Sequence, residues 1–325
     1  HTTSGIAIGS EANVGNQSIR QWIDIPYAQP PSGDLRWRAP RKLVTPEAII
    51  TDQEVTACVQ EASDYGGVEG DGVVGTEDCL YLDIRAPLNV GNERYPVMFW
   101  IHGGGNIVGT KDYYDFSKMV ASQNVIVVTV NYRLGPLGWF THPAIQGVQA
   151  NLDASSNYGT LDIIQALRWV KENISSFGGD ENNITIFGES AGGHNVLALL
   201  ASPLTAGLFH KAIAQSGYST STSLERAYDY GDKDSLIRRG SWRMVNELLS
   251  VHYRPSLSQE KMLDHEVREK LKEIDAREFV RLYVDLRNEG SMPLTTSDGV
   301  VIPSMGLRNA LENKAYAKNV PVISG

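Results

Sequence analysis

Ile184-Thr185-Ile186-Phe187-Gly188-Glu189-Ser190-Ala191-Gly192-Gly193 reads as a buried strand that turns sharply into a helix, the helix continuing through Val196 to Ala201. A serine hydroxyl is a poor nucleophile unless it is exposed, oriented and deprotonated by a neighbouring base. A tight strand-to-helix turn supplies the exposure by lifting the side chain above the sheet. Glycines at 188 and 192 suit it, because a Cβ at either position would collide with the adjacent strand and helix. The turn also aims the N–H of Ala191 at negative charge developing nearby. A bare Gly-x-Ser-x-Gly arises by chance; its place between strand and helix gives it weight. Ser190 is the expected nucleophile.

Upstream, Phe99-Trp100-Ile101-His102-Gly103-Gly104-Gly105 is a strand running into three glycines. Consecutive glycines let backbone N–H groups point into one concavity, which stabilises the oxyanion of a tetrahedral intermediate. With the turn at Ser190, the pair specifies acyl transfer. Further strands are expected over Leu80 to Arg85, Pro96 to Ile101, Val125 to Val130, Lys211 to Gln215 and Val320 to Ser324. The middle runs are apolar on both faces, as when helices cover both sides of a sheet. Leu161 to Ile174 has an amphipathic helical period and ends at Phe177-Gly178-Gly179, a left-handed cap. The alternation predicts an α/β fold with a mostly parallel central sheet flanked by helices. Residues 59–78, with five glycines, six carboxylates and no Lys or Arg, read as a flexible acidic loop. From Ser223 to Asn288 the chain is charge-dense and helical, with Leu263, Val267 and Leu271 in step, and reads as helices over one end of the sheet.

A net charge of -9 and the absence of a basic stripe argue against a nucleic-acid partner, and none is expected. No apolar run approaches the ~20 residues of a membrane span. No Cys/His cluster has metal-ligand spacing and no loop cradles phosphate, so no cofactor or metal is expected. Cys58 and Cys79 are the only cysteines, and composition leaves a disulfide and two buried thiols both open. Asn16, Asn173 and Asn183 begin glycosylation sequons, about as many as chance supplies. The opening His1-Thr2-Thr3-Ser4-Gly5 fits a mature chain after signal-peptide removal and fits equally a chain cut elsewhere. Nothing in the sequence fixes an oligomeric state.

The chain resembles the type-B carboxylesterases, α/β-hydrolases that include the cholinesterases and the fungal lipases and sterol esterases. The resemblance rests on Ile25-Pro26-Tyr27-Ala28-Gln29-Pro30-Pro31, Leu35-Arg36-Trp37, Glu77-Asp78-Cys79-Leu80-Tyr81-Leu82, Asn131-Tyr132-Arg133-Leu134-Gly135, Phe177-Gly178-Gly179-Asp180, the Ser190 turn and Gln215-Ser216-Gly217. It implies that Gly104, Gly105 and Ala191 form the oxyanion hole and that Ser216 and Glu189 lie just behind the reacting groups. It also implies a Cys58–Cys79 disulfide, and hence a secreted or otherwise extracytosolic protein. Two residues depart from the pattern. Asn106 replaces an aromatic, which is expected to make the pocket more polar, and Asp24 replaces a glycine.

In such enzymes the triad runs Ser, acid, His along the chain. The resemblance places the acid just beyond Val320-Pro321-Val322-Ile323-Ser324-Gly325 and the His later, so neither is expected within residues 1–325. His102, His142, His194 and His210 fall in segments with structural roles in the family, and His252 and His265 in the helical stretch. None is expected to be the base. The expectation is one α/β-hydrolase domain over 1–325, incomplete at its C-terminus, with 223–290 a helical cap-like excursion. Alone, it should fold poorly and be inactive. The expected function is hydrolysis of small, soluble short- or medium-acyl esters through acyl-Ser190. A lipase or sterol esterase is the runner-up, disfavoured by the polar 59–78 segment; a cholinesterase is disfavoured by the lack of a Trp there. A non-catalytic esterase-like binding protein is disfavoured by the intact Ser190.

Overall fold

Strands that are apolar on both faces lie at the centre of the sheet, covered on each side. The computed structural model describes residues 1–50, 57–88, 94–228, 240–253, 262–286 and 295–325. Its strands are β1 (Ser10–Val14), β2 (Gln17–Pro26), β3 (Gln60–Ser63), β4 (Val68–Val74), β5 (Tyr81–Pro87), β6 (Tyr95–Ile101), β7 (Ile126–Val130), β8 (Gly179–Glu189), β9 (Lys211–Gln215) and β10 (Val322–Ser324), besides two-residue pairs. Eight of them form one sheet in the order β10-β9-β8-β6-β7-β5-β2-β1. From β10 to β7 all pairs are parallel; β5, β2 and β1 add an antiparallel flank.

Helix α1 (Ser117–Gln123) lies on one face, where Trp100, Val120, Val127 and Phe187 pack together. Helices α2 (Tyr158–Asn173) and α3 (Ala191–Ala201) cover the other, against Phe99, Ile101, Val128 and Ile186. The alternation Phe99/Trp100/Ile101 thus divides between two layers, as the period of two requires. The amphipathic reading of α2 needs correcting, because the helix is buried on nearly every side. The N-terminal segment closes over it: Trp169 Nε1 donates to Ser4 Oγ at 2.9 Å and Thr3 N–H to Asn173 Oδ1 at 2.8 Å. The sequon Asn173 is therefore internal, whereas Asn16 is exposed in the β1–β2 turn. Gly178 takes the expected left-handed conformation, φ 88°.

The acidic segment is not a loop. β3 and β4 pair antiparallel as a hairpin: Val68, Val73 and Val74 face partners on β3, and Gly67, Gly70 and Gly72 take the positive φ of its turn and bends. Cys58 and Cys79 are disulfide-bonded and buried at its base. Replacing both by Ala should lower stability by about 3 kcal/mol, the chain entropy returned to the unfolded state by opening a loop of this length. Urea unfolding checks this; unchanged midpoints would show a passive cross-link.

The helical stretch appears as α4 (Ser241–His252), α5 (Asp264–Glu273) and α6 (Ala276–Leu286), preceded by a short turn of helix at Leu224–Tyr228. Residues 229–239, 254–261 and 287–290 of that expectation lie outside the described residues. Val267 and Leu271 are buried as the spacing predicts, but Leu263 is 64% exposed, because it precedes the helix and its N–H is capped by Glu266 Oε2 at 2.8 Å. The helices build a second core on Trp37, which stacks on Phe140 at 5.1 Å and meets Phe279 edge-on at 5.2 Å. Arg36 ties the layers, binding both carboxylate oxygens of Glu77 and the Ile274 carbonyl.

Val320 to Ser324 is one of the expected strands, and its apolar run suits burial. It is a strand over Val322–Ser324, but an exposed one: Val322 is 46% and Ile323 67% accessible. It pairs only with β9, and among the described residues nothing covers its other edge. Also unanticipated was the antiparallel flank, although Gly15-Asn16 between Val14 and Gln17 is a two-residue hairpin signal.

Candidate active site

β8 ends at Glu189 and α3 begins at Ala191, leaving Ser190 alone in the turn at φ 56°, ψ -120°. A side-chain-bearing residue there costs ~1–3 kcal/mol and persists only where its surroundings over-determine it. They do so here. Ser190 N–H donates to the Gln215 carbonyl at 2.9 Å, and the Ser190 carbonyl accepts from His194 N–H at 2.9 Å. A Cβ on Gly188 would come within 2.7 Å of the Ile101 carbonyl oxygen and 2.6 Å of Gly192, and one on Gly192 would overlap the Ile101 carbonyl. Strand, turn and helix touch backbone to backbone, as the sequence requires.

The glycine loop leaves β6 and passes beside this turn. A Cβ on Gly103 would lie 2.8 Å from the Glu189 carbonyl oxygen and 3.3 Å from Ser190 Cβ. Gly104, Gly105 and Asn106 follow in left-handed conformation, φ 95°, 64° and 60°. Among the described residues, the N–H groups of Gly104, Gly105 and Ala191 donate to no carbonyl or side chain.

Asn106 does not make the pocket more polar. Its side chain is fully buried and accepts from Asn195 Nδ2 at 2.8 Å, beside the Tyr132 hydroxyl. Asn suits the position because it tolerates positive φ.

A cleft of about 260 Å³ adjoins the turn, lined by Tyr65, His102, Gly103, Gly104, Tyr114 and Glu189 among others. Tyr65 comes from the β3–β4 hairpin, which Gln60 fastens to the glycine loop. Its amide donates to Gly109 O at 2.9 Å and accepts from Gly109 N–H at 2.7 Å. Gln60 is wholly buried and was not singled out in the sequence; a glutamine carries no signal of burial.

No side chain hydrogen-bonds the Ser190 hydroxyl among the described residues. The histidines are engaged elsewhere. His102 Nδ1 meets the Gly103 carbonyl at 2.9 Å and its ring stacks on Tyr132. Both nitrogens of His194 are bonded, to Tyr218 O at 2.6 Å and Thr295 Oγ1 at 2.8 Å. Burial lowers each of these histidines to a pKa of about 4, so both are neutral. His142 caps a helical turn, accepting from Ala144 N–H, and His210 accepts from Ile184 N–H. His252 and His265 are exposed on α4 and α5. Ser216 is exposed at the end of β9, its N–H bonded to the Gly325 carbonyl. It lies beside the turn only through its neighbours, Gln215 holding Ser190 and Gly217 packing on Gly193.

A parallel sheet flanked by helices, with a serine in a strained turn between strand and helix, defines an α/β-hydrolase. The chain belongs to the carboxylesterase family, whose profile matches residues 1–325. It is 33% identical to rabbit (Oryctolagus cuniculus) liver carboxylesterase 1 over 92% of its length and 52% of the relative's. It is 42% identical to the para-nitrobenzyl esterase of Bacillus subtilis over 67% of its length and 44% of the relative's. Among solved structures, a thermophilic PNB esterase superposes with a TM-score of 0.80 at 32% identity, covering 100% of this chain and 62% of that one. The Geobacillus stearothermophilus carboxylesterase superposes at 0.76 with 31% identity, covering 98% and 60%. The chain thus spans about half the length of the curated relatives it matches.

Proposed function

We propose that the protein is a type-B serine carboxylic-ester hydrolase working through an acyl-Ser190 intermediate. The observation that carries the reading is Ser190 locked in its turn beside three N–H groups without internal partners. Ser190 Oγ attacks the ester carbonyl carbon, and its proton passes through a base to the departing alcohol. The oxyanion is received by Gly104, Gly105 and Ala191, each well-placed donor worth ~3–4 kcal/mol. Water then releases the acid and regenerates Ser190. Glu189, on the wall of the cleft, and Ser216, at the end of the neighbouring strand, support the site. Since no described histidine meets Ser190, the base and its acid partner are assigned outside residues 1–325. The described helices of residues 223–290 act as a cap on a single catalytic domain. The disulfide supports a secreted or extracytosolic location. Labelling of the complete protein with a fluorophosphonate should place one adduct on Ser190; no adduct, or one elsewhere, defeats the reading.

The substrates are soluble short- or medium-acyl esters rather than emulsified triglycerides. The hairpin beside the cleft exposes Glu69 and Asp71 where a lipase lid needs an apolar face. Turnover of a graded series of esters should show no sharp rise on crossing the substrate's solubility limit. Such a rise would replace this reading with a lipase.

A further inference from the structure

A lysine with its side chain 1% exposed sits just past the glycine loop, surrounded by carboxylates. Lys111 Nζ lies 2.8 Å from Asp24 Oδ1, 2.9 Å from Asp83 Oδ1 and 2.8 Å from Asp112 Oδ1. Asp24 and Asp83 are themselves buried, and Arg85 approaches Asp83 from the other side at 3.7 Å. Burial alone would push Lys111 down, but Asp83, Asp112 and Asp24 hold it above the ordinary lysine range, so it is charged.

The backbone is bent to make this contact. The β2–β5 pairing shifts register between Trp22 and Ile25, and Asp24 stands in that bulge at φ 57°. A bulge re-aims a side chain. Here it turns Asp24 onto Lys111, while its N–H donates to Asp83 Oδ1 at 3.0 Å. Buried ion pairs contribute weakly to net stability, because desolvation offsets the attraction; their best-attested use is to specify geometry. The geometry within reach is that of the glycine loop. It is anchored at its start by Tyr132, whose hydroxyl donates to the His102 carbonyl at 2.6 Å, and at its last residue, Gly109, by Gln60. Between these anchors the Gly104 carbonyl accepts from the N–H groups of Ile107 and Val108 at 3.1 and 3.0 Å and Asn106 is held by Asn195, but Gly104 and Gly105 themselves hold conformations that glycine leaves freely. Lys111, two residues past Gly109, fastens the segment that leaves the loop, its own N–H donating to Asn131 Oδ1 at 2.7 Å.

We propose that Lys111, bound by Asp24, Asp83 and Asp112, is a positioning residue that holds the far end of the Gly103–Gly109 loop so that the Gly104 and Gly105 N–H groups stay aimed at the oxyanion. The proposal rests on the acyl-transfer reading above. It is tested in the complete protein with Lys111→Met and Asp24→Gly. Lys111→Met leaves carboxylates unpaired and can fail to fold. Asp24→Gly removes one of the three carboxylates, leaves Asp83 and Asp112 on Lys111, and substitutes the residue that best suits φ 57°, so it should keep its melting temperature. The expected result is a fall of about tenfold in kcat for a soluble ester, with KM within about twofold, because the loss is felt in the transition state. Affinity for a trifluoromethyl ketone, which forms a tetrahedral adduct, should fall by the same factor, while fluorophosphonate still titrates one Ser190 per chain. Wild-type kcat in folded Asp24→Gly, or a raised KM at unchanged kcat, overturns the proposal. Absence of the label in the wild type instead removes the acyl-transfer reading itself, and this proposal with it.

Discussion

Ser190→Ala in the complete protein is expected to lower kcat for a simple ester by about ten-thousand- to a million-fold while leaving the fold intact. Removing the nucleophile removes the acyl-enzyme route, and what survives is the residual catalysis of donors that still polarise the carbonyl. Little structural cost should accompany it. Ser190 is held by its backbone, through Gln215 and His194, and no described group depends on its hydroxyl. Burst kinetics with a chromogenic ester give the readout: the wild type should release one equivalent of alcohol rapidly and the variant none. A folded Ser190→Ala protein with near-wild-type turnover would end the assignment.

The second large effect concerns pH. His102 and His194 have pKa values lowered by burial to about 4, against about 6.5 when the chain is unfolded. Between these values the unfolded chain binds protons that the folded protein refuses, so acidification favours unfolding. The stability each contributes is fully present above pH 6.5 and is lost as the pH falls through 4, on the order of 3 kcal/mol per histidine. Urea unfolding from pH 7.5 to 5 should show stability falling across a range in which ordinary carboxylates stay ionised. Imidazole signals of either residue titrating near pH 6.5 in the folded protein would show the burial argument to be wrong. So would a flat midpoint over that range.

Much of this molecule is legible from contiguous residues. The central strands appear where the β-branched runs place them, Lys211–Gln215 to the residue. The turn at Ser190 is legible because its requirements are local: glycines at 188 and 192 are demanded by backbones they touch directly. The hairpin at 60–74 was missed because glycines and carboxylates outnumber its pairing valines. The exposed face of β10 was missed because an apolar run carries no record of whether anything lies over it.

The sequence by itself determined the α/β class, the serine turn between strand and helix, the glycine loop beside it and the family to which the chain belongs. Each is written in neighbouring residues whose propensities and steric needs act over a few positions. Only the tertiary structure decided that Asn106 turns inward to Asn195, that Gln60 fastens the hairpin to Gly109, and that both nitrogens of His194 are occupied. Only it brought Asp24 and Asp83, from two different strands, around one buried lysine. The reason is physical: a lysine, a glutamine or a histidine in a sequence reads as solvated. Whether it is buried depends on partners supplied by distant strands, and burial without those partners would cost several kcal/mol.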